Sequence, residues 1–115
     1  MKCIIYPVQI DDEKKIGLHA RPVAKVAGAI SKYKNIDVEV VKLPDNADIT
    51  KPIELTGKEQ KVKAKSVLSF LGLQVKNFNK IAFIITKIND KEEDKILDEV
   101  KSVISFVLKE EKLIK

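Results

Sequence analysis

Apolar and polar residues repeat with two different periods along this chain, and the switches between them mark its elements. Residues 36–43 set Ile36, Val38 and Val40 against Asp37 and Glu39, the period of two expected of a half-buried strand. Residues 61–65 alternate again through Val62 and Ala64. Residues 80–88 are dense in β-branched and aromatic side chains (Ile81, Phe83, Ile84, Ile85, Thr86, Ile88) and carry the strongest strand signal. Residues 1–10 read as a further strand, with Cys3, Ile5, Val8 and Ile10 as its apolar positions. Pro7 within it argues for a sheet edge or a bulge. A short strand-like piece lies at 52–55, after a turn-forming cluster at 44–48.

Elsewhere the period is helical. Val23, Val26, Ala27 and Ile30 predict a helix over 20–33. Gly28 in its middle costs roughly 1 kcal/mol against alanine and suggests close packing on a sheet. Ser66 is placed to cap a short apolar helix over 67–74. Ile96, Leu97, Val100, Val103, Ile104, Val107 and Leu108 form one stripe of a long helix over 91–113. Asn89 and Asp90 read as its turn and cap, with Glu92, Glu93 and Asp94 complementing the dipole in its first turn. The order is β-α-β-β-α-β-α. The packing solution is an α+β domain: a four-stranded, mainly antiparallel sheet with three helices on one face.

At 115 residues the chain fits one domain, 1–115, with an extended loop at about 43–60. The single cysteine, Cys3, excludes an internal disulfide and reads as a small buried hydrophobe. One Cys and one His do not make a zinc site, and no pattern calls for a metal or other cofactor. The first ten residues are too short for a membrane span and lack a cleavage signal, so a cytoplasmic location is expected. The net charge of +5 comes from lysines spread along the chain. It fits a solvated surface, or an acidic or phosphate-bearing partner.

One stretch concentrates chemistry. Gly17-Leu18-His19-Ala20-Arg21-Pro22 holds the only histidine, where a helix is expected to start. Proline suits the first helical turn because its φ is preset and its missing N–H would be unpaired there. The free N–H groups and partial positive charge of that helix end attract anions. A positive helix end and a guanidinium favour the uncharged, nucleophilic form of His19 and then stabilise a phosphoryl group on it. Gly17 permits an unusual backbone, and Leu18 can anchor the loop in the core. A bland alternative is a surface histidine capping a helix beside an incidental arginine. Downstream, Lys65-Ser66 opens the short helix carrying Val67, Leu68, Phe70 and Leu71, which cannot all point inward. Some form a partner-facing patch, unless the polar 43–60 insertion covers them.

The two motifs in this order resemble the HPr family, the histidine-containing phosphocarrier proteins of the bacterial phosphoenolpyruvate-dependent sugar phosphotransferase system (PTS). The resemblance covers nearly the whole chain and implies an open-faced β-sandwich. It implies that His19 accepts a phosphoryl group on Nδ1 from enzyme I and donates it to sugar-specific enzyme II A components. Arg21 would balance the phosphate charge, with Gly17 and Ala20 shaping the phosphate-binding helix end. Ser66 would match a serine modified by a kinase, and Val67, Leu68 and Leu71 the docking patch. A monomeric carrier, not an independent enzyme, is the expectation. The chain differs from the family pattern in its length, in Ile16 before the glycine, in Gln74 where a glycine is usual, and in its basic charge. Two rival readings are a regulatory relay that does not serve sugar uptake, motivated by the 43–60 insertion, and a basic nucleic-acid-binding domain. The second lacks strands with interleaved aromatics.

Overall fold

The computed structural model describes residues 2–115; the expected strand position at Met1 lies outside them. The elements run β1 (Cys3–Gln9), α1 (Ala20–Ser31), β2 (Ile36–Lys42), β3 (Lys61–Lys63), α2 (Val67–Gly72), β4 (Lys80–Lys87) and α3 (Lys95–Glu110). The strands form one antiparallel sheet in the order β1-β4-β2-β3. Pro7 therefore sits on an edge strand, where its missing donor costs no ladder bond on the outer side.

Strand alternation decides what faces the helices. Val8, Val38, Val40, Ile81, Phe83 and Ile85 join Val23, Val26 and Ile30 of α1, Phe70 of α2, and Leu97, Val100, Ile104 and Leu108 of α3 in one core. Phe83 is its aromatic centre, stacked on Tyr6 at 6.1 Å and edge-on to Phe70 at 6.0 Å. Full burial removes Phe83 from any base-stacking role.

The other face of the sheet carries a second, smaller core. Val41, Leu43, Ala82 and Ile84 point that way, and Ala47, Ile49, Ile53, Leu55 and Ile5 pack on them. The inserted segment thus lies across the open side of the sheet and does not shield α2. Lys80 fastens its start, donating to the carbonyls of Asp45 (2.8 Å) and Ala47 (2.6 Å). Residues 52–55 pair with no strand; instead Ile53 and Leu55 pack onto the sheet face.

Several expectations are corrected. Cys3 is exposed, at the start of an edge strand. Gly28 faces solvent with nothing near it, so it mediates no close packing. The last helix is shorter than 91–113 at both ends. At its start the buried Lys87 ammonium binds the Glu92 carbonyl and the Asp94 carboxylate, holding 91–94 in a turn, and Asp94 is the cap. Glu92, Glu93 and Asp94 therefore precede the helix, and Asp98 is the acidic residue of its first turn. At its end Lys112 adopts φ 59°, Lys112 N–H donates to the Lys109 carbonyl (3.0 Å) and Leu113 N–H to that of Leu108 (2.9 Å). That pair of bonds is a Schellman stop, and it seats Leu113 in the core.

Candidate functional site

His19 is the N-cap of α1, with extended backbone at φ −123° and ψ −175°. Its carbonyl accepts the first helical bond, from Val23 N–H at 3.2 Å. Its ring makes no capping bond, and the imidazole is half-buried. Among the described residues the N–H groups of Ala20 and Arg21 donate to no protein acceptor, and Pro22 has none to donate. The helix end therefore offers unpaired donors beside the ring, as anion binding requires.

The approach to His19 is a tight loop. Gly17 has φ 88°, and a Cβ there would lie 2.8 Å from the Val75 carbonyl oxygen and 2.9 Å from Asn77 N. Only glycine fits both the dihedral and the approach. Leu18 N–H donates to the Val75 carbonyl at 3.0 Å, and the Leu18 side chain packs on the core.

A cleft of about 230 Å³ opens in front of the ring, lined by Asp12, Glu13, Lys14, His19, Arg21, Glu110, Glu111 and Lys112. His19 and Arg21 share it as expected. The guanidinium, however, is engaged with a carboxylate: Arg21 Nε lies 3.4 Å from Glu111, and Lys25 Nζ lies 3.0 Å from it. Lys25 first, then Arg21 and His19, hold the Glu111 carboxyl below its ordinary value against the opposing effect of burial.

Asp12 and Glu111 escape a reading of the sequence. Asp12 is buried, and burial alone would push its carboxyl up. The backbone N–H groups of Lys14, Ile16 and Gly17 outweigh that and hold it below the ordinary value, with His19 acting in the same direction. Its acidic neighbourhood reads as a charged turn, and only the glycine five residues on hints at a loop needing an acceptor. Glu111 reaches the cleft only because the helix stops at a lysine, where a glycine would have signalled the stop.

The second motif sits on α2. Ser66 caps it, its Oγ accepting from Ser69 N–H at 3.3 Å. Lys65 donates to the carbonyls of Tyr33 (2.7 Å) and Ile36 (2.6 Å), anchoring the cap to the turn after α1. Leu68 is 83% exposed, whereas Val67 and Leu71 are half-buried against the core. The exposed apolar patch is thus narrower than three residues, with Ile16 (59% exposed) as a further apolar side chain on the His19 loop. Among the described residues no group of acidic, cysteine and histidine side chains is placed to hold a metal ion.

No curated protein matches the sequence. Solved structures do match in fold. The histidine-containing phosphocarrier protein of Mycoplasma is 19% identical, with 97% of this chain and 99% of that one covered at a TM-score of 0.68. Phosphocarrier protein HPr of Bacillus anthracis is 18% identical, with 91% and 95% covered and a TM-score of 0.61. HPr-C-His of Thermoanaerobacter tengcongensis is 23% identical, with 96% and 94% covered and a TM-score of 0.58. The sequence family described as the PTS HPr component phosphorylation site matches residues 8–105, a span that includes both motifs. A loop-borne histidine at an uncapped helix end, on this fold and within that match, places the chain in the HPr family of phosphocarrier proteins.

Proposed function

We propose that this protein carries phosphoryl groups for the PTS: His19 accepts PO3 from phosphorylated enzyme I and passes it to sugar-specific enzyme II A components. The observation that carries the reading is the uncapped His19 ring at the start of α1, opening on a cleft that also holds Arg21. A lone pair on a ring nitrogen, Nδ1 by family likeness, forms an N–P bond while the donor histidine's N–P bond breaks. The released electron pair returns to the donor ring, and each ring keeps its N–H proton. The α1 donors and Arg21 stabilise the added charge, by about 0.3–1 kcal/mol for a helix end at an exposed site. That modest size suits a group that must be released again. The interface with the partner protein supplies alignment and excludes water, so in this reading the chain is a carrier and not an independent enzyme; we take it to be cytoplasmic and monomeric.

Leu68, with Val67 and Leu71 at its edge, is the docking surface of this reading. Phosphorylation of Ser66 by a serine kinase would place about −1.5 to −2 charges beside it and regulate docking. The test combines the protein with enzyme I and phosphoenolpyruvate. Acid-labile label is expected on wild type and none on His19→Ala, which keeps its fold because the ring makes no capping bond. Label on the His19→Ala variant would show the acceptor to be misassigned.

A relay that does not serve sugar uptake is a second reading, favoured by the segment 44–60 seated on the sheet face away from α1 and α2. Acceptance of label without transfer to any enzyme II A component supports it.

A further inference from the structure

We propose that Asp12 and Asn77 are positioning residues for phosphoryl transfer at His19, acting through the backbone that delivers the ring; this rests on His19 being the phosphoryl acceptor. The Asp12 carboxylate accepts from Lys14 N–H (3.1 Å), Ile16 N–H (2.9 Å) and Gly17 N–H (3.1 Å). It is only 6% exposed, so those N–H groups replace the water it has lost. Residues 14–17 make no ladder or helix bonds, and two of them, Lys15 and Gly17, sit at positive φ. Apart from Lys15 N–H, which donates to the Asp12 carbonyl at 2.9 Å, the Asp12 carboxylate supplies the bonds that order a turn otherwise costly to hold. The turn ends two residues before His19.

Asn77 fixes the carboxylate's own backbone. Its Oδ1 accepts from Asp12 N–H at 2.7 Å, and its Nδ2 donates to the Asp12 carbonyl at 3.4 Å. The same stretch of chain binds Leu18 N–H through Val75. The His19 loop is thus clamped on both sides of Gly17 to the segment joining α2 and β4. Neither Asp12 nor Asn77 lies on α2, so loosening the clamp alters the presentation of the ring and leaves the Leu68 surface in place. Displacement of a reacting group by about 1 Å can cost on the order of a hundredfold in rate.

The test measures kcat and KM for acceptance from phosphorylated enzyme I in Asp12→Ala, Asp12→Asn and Asn77→Ala. Hydrogen exchange at the Ile16 and Gly17 amides is followed in the same variants. The expected result is faster exchange at those two amides and a kcat at least tenfold lower in Asp12→Ala, with KM within about twofold of wild type. Asp12→Asn, which keeps one acceptor oxygen, and Asn77→Ala should fall between. If Asp12→Ala fails to fold, those two milder variants decide. Loss of amide protection with kcat unchanged overturns the proposal, as does an increase in KM alone. Chemical phosphorylation with phosphoramidate, read by phosphorus NMR, separates the two readings. Wild type that reacts at His19 with phosphoramidate but not with enzyme I refutes the PTS assignment. The variant-to-wild-type ratio of phosphoramidate rates then still judges the clamp, with an unchanged ratio counting against it.

Discussion

Arg21 Nε lies 3.4 Å from Glu111 Oε1, so the guanidinium expected to receive the phosphoryl charge rests against a carboxylate carried by the end of α3. Lys25 shares that carboxylate at 3.0 Å. On the proposed reading, a phosphoryl group on His19 would compete with Glu111 for Arg21. Such competition would lower the affinity of the site for phosphate and favour release.

Glu111→Gln should therefore accept label faster than wild type by about two- to fivefold, matching the roughly 0.5–1 kcal/mol of an ion pair at the protein surface. The gain should shrink at high salt, because exposed charges are screened. Arg21→Ala should slow acceptance while leaving it detectable. Rapid-quench measurement of acid-labile label on His19 reads both; a Glu111→Gln variant slower than wild type contradicts the competition.

Gly17→Ala should lose about 1–3 kcal/mol of stability from its left-handed backbone, with the contact at Val75 adding to it. Gly28→Ala is the matched control. That glycine lies in α1, and a Cβ at its position would meet only open space, so alanine should gain up to about 1 kcal/mol. Urea midpoints measure both, and equal shifts in one direction would contradict the assignment.

Asp12 and Glu111 have carboxyl groups held below their ordinary values of 3.8 and 4.5. A depressed carboxyl contributes stability that is complete above its unfolded value and is lost as pH falls through the lower folded value. Thermal melts should therefore show little dependence on these two groups at neutral pH and a decline below about pH 4. Asp12→Asn should flatten that acid limb. An acid limb identical to wild type removes Asp12 as a contributor.

Gln74 adopts φ 54° after α2, donating its N–H to the Leu71 carbonyl at 3.0 Å. A side chain in this left-handed region costs about 1–2 kcal/mol. Gln74→Gly should raise stability by about 0.5–1 kcal/mol, the remainder being offset by the greater freedom of glycine in the unfolded chain. A lower denaturation midpoint in this variant would count against it.

Much of the architecture was legible because burial imposes its period on the chain. Val38 and Val40 announce β2, and Leu97, Val100, Ile104 and Leu108 announce α3, since each faces one core. His19 was legible because histidine, arginine and proline occupy positions with separate physical roles at a helix start. Glu111 was not, because Lys112 adopts a positive φ without the glycine that usually marks it. Asp12 was not, because its partners are backbone N–H groups, which leave no side-chain signature. The shortening of α3 at its start followed from Lys87, a buried lysine whose partners lie five and seven residues on. The 43–60 insertion read as polar because the apolar residues it lays on the sheet, Ala47, Ile49, Ile53 and Leu55, follow a period of two that Lys51 interrupts and that begins inside the turn-forming cluster at 44–48.

The strap of residues 44–60 turns the sheet into a partition between two apolar compartments of unequal size. The His19 loop and α1 are anchored in the larger compartment, whereas the smaller one is built from the strap and the back of the sheet. On the proposed reading, changes of length or sequence at the strap's solvent-facing bend near Gly57 should leave acceptance of label at His19 unaltered. This makes the bend a natural point for attaching a fluorophore or an affinity handle to a carrier that must keep working.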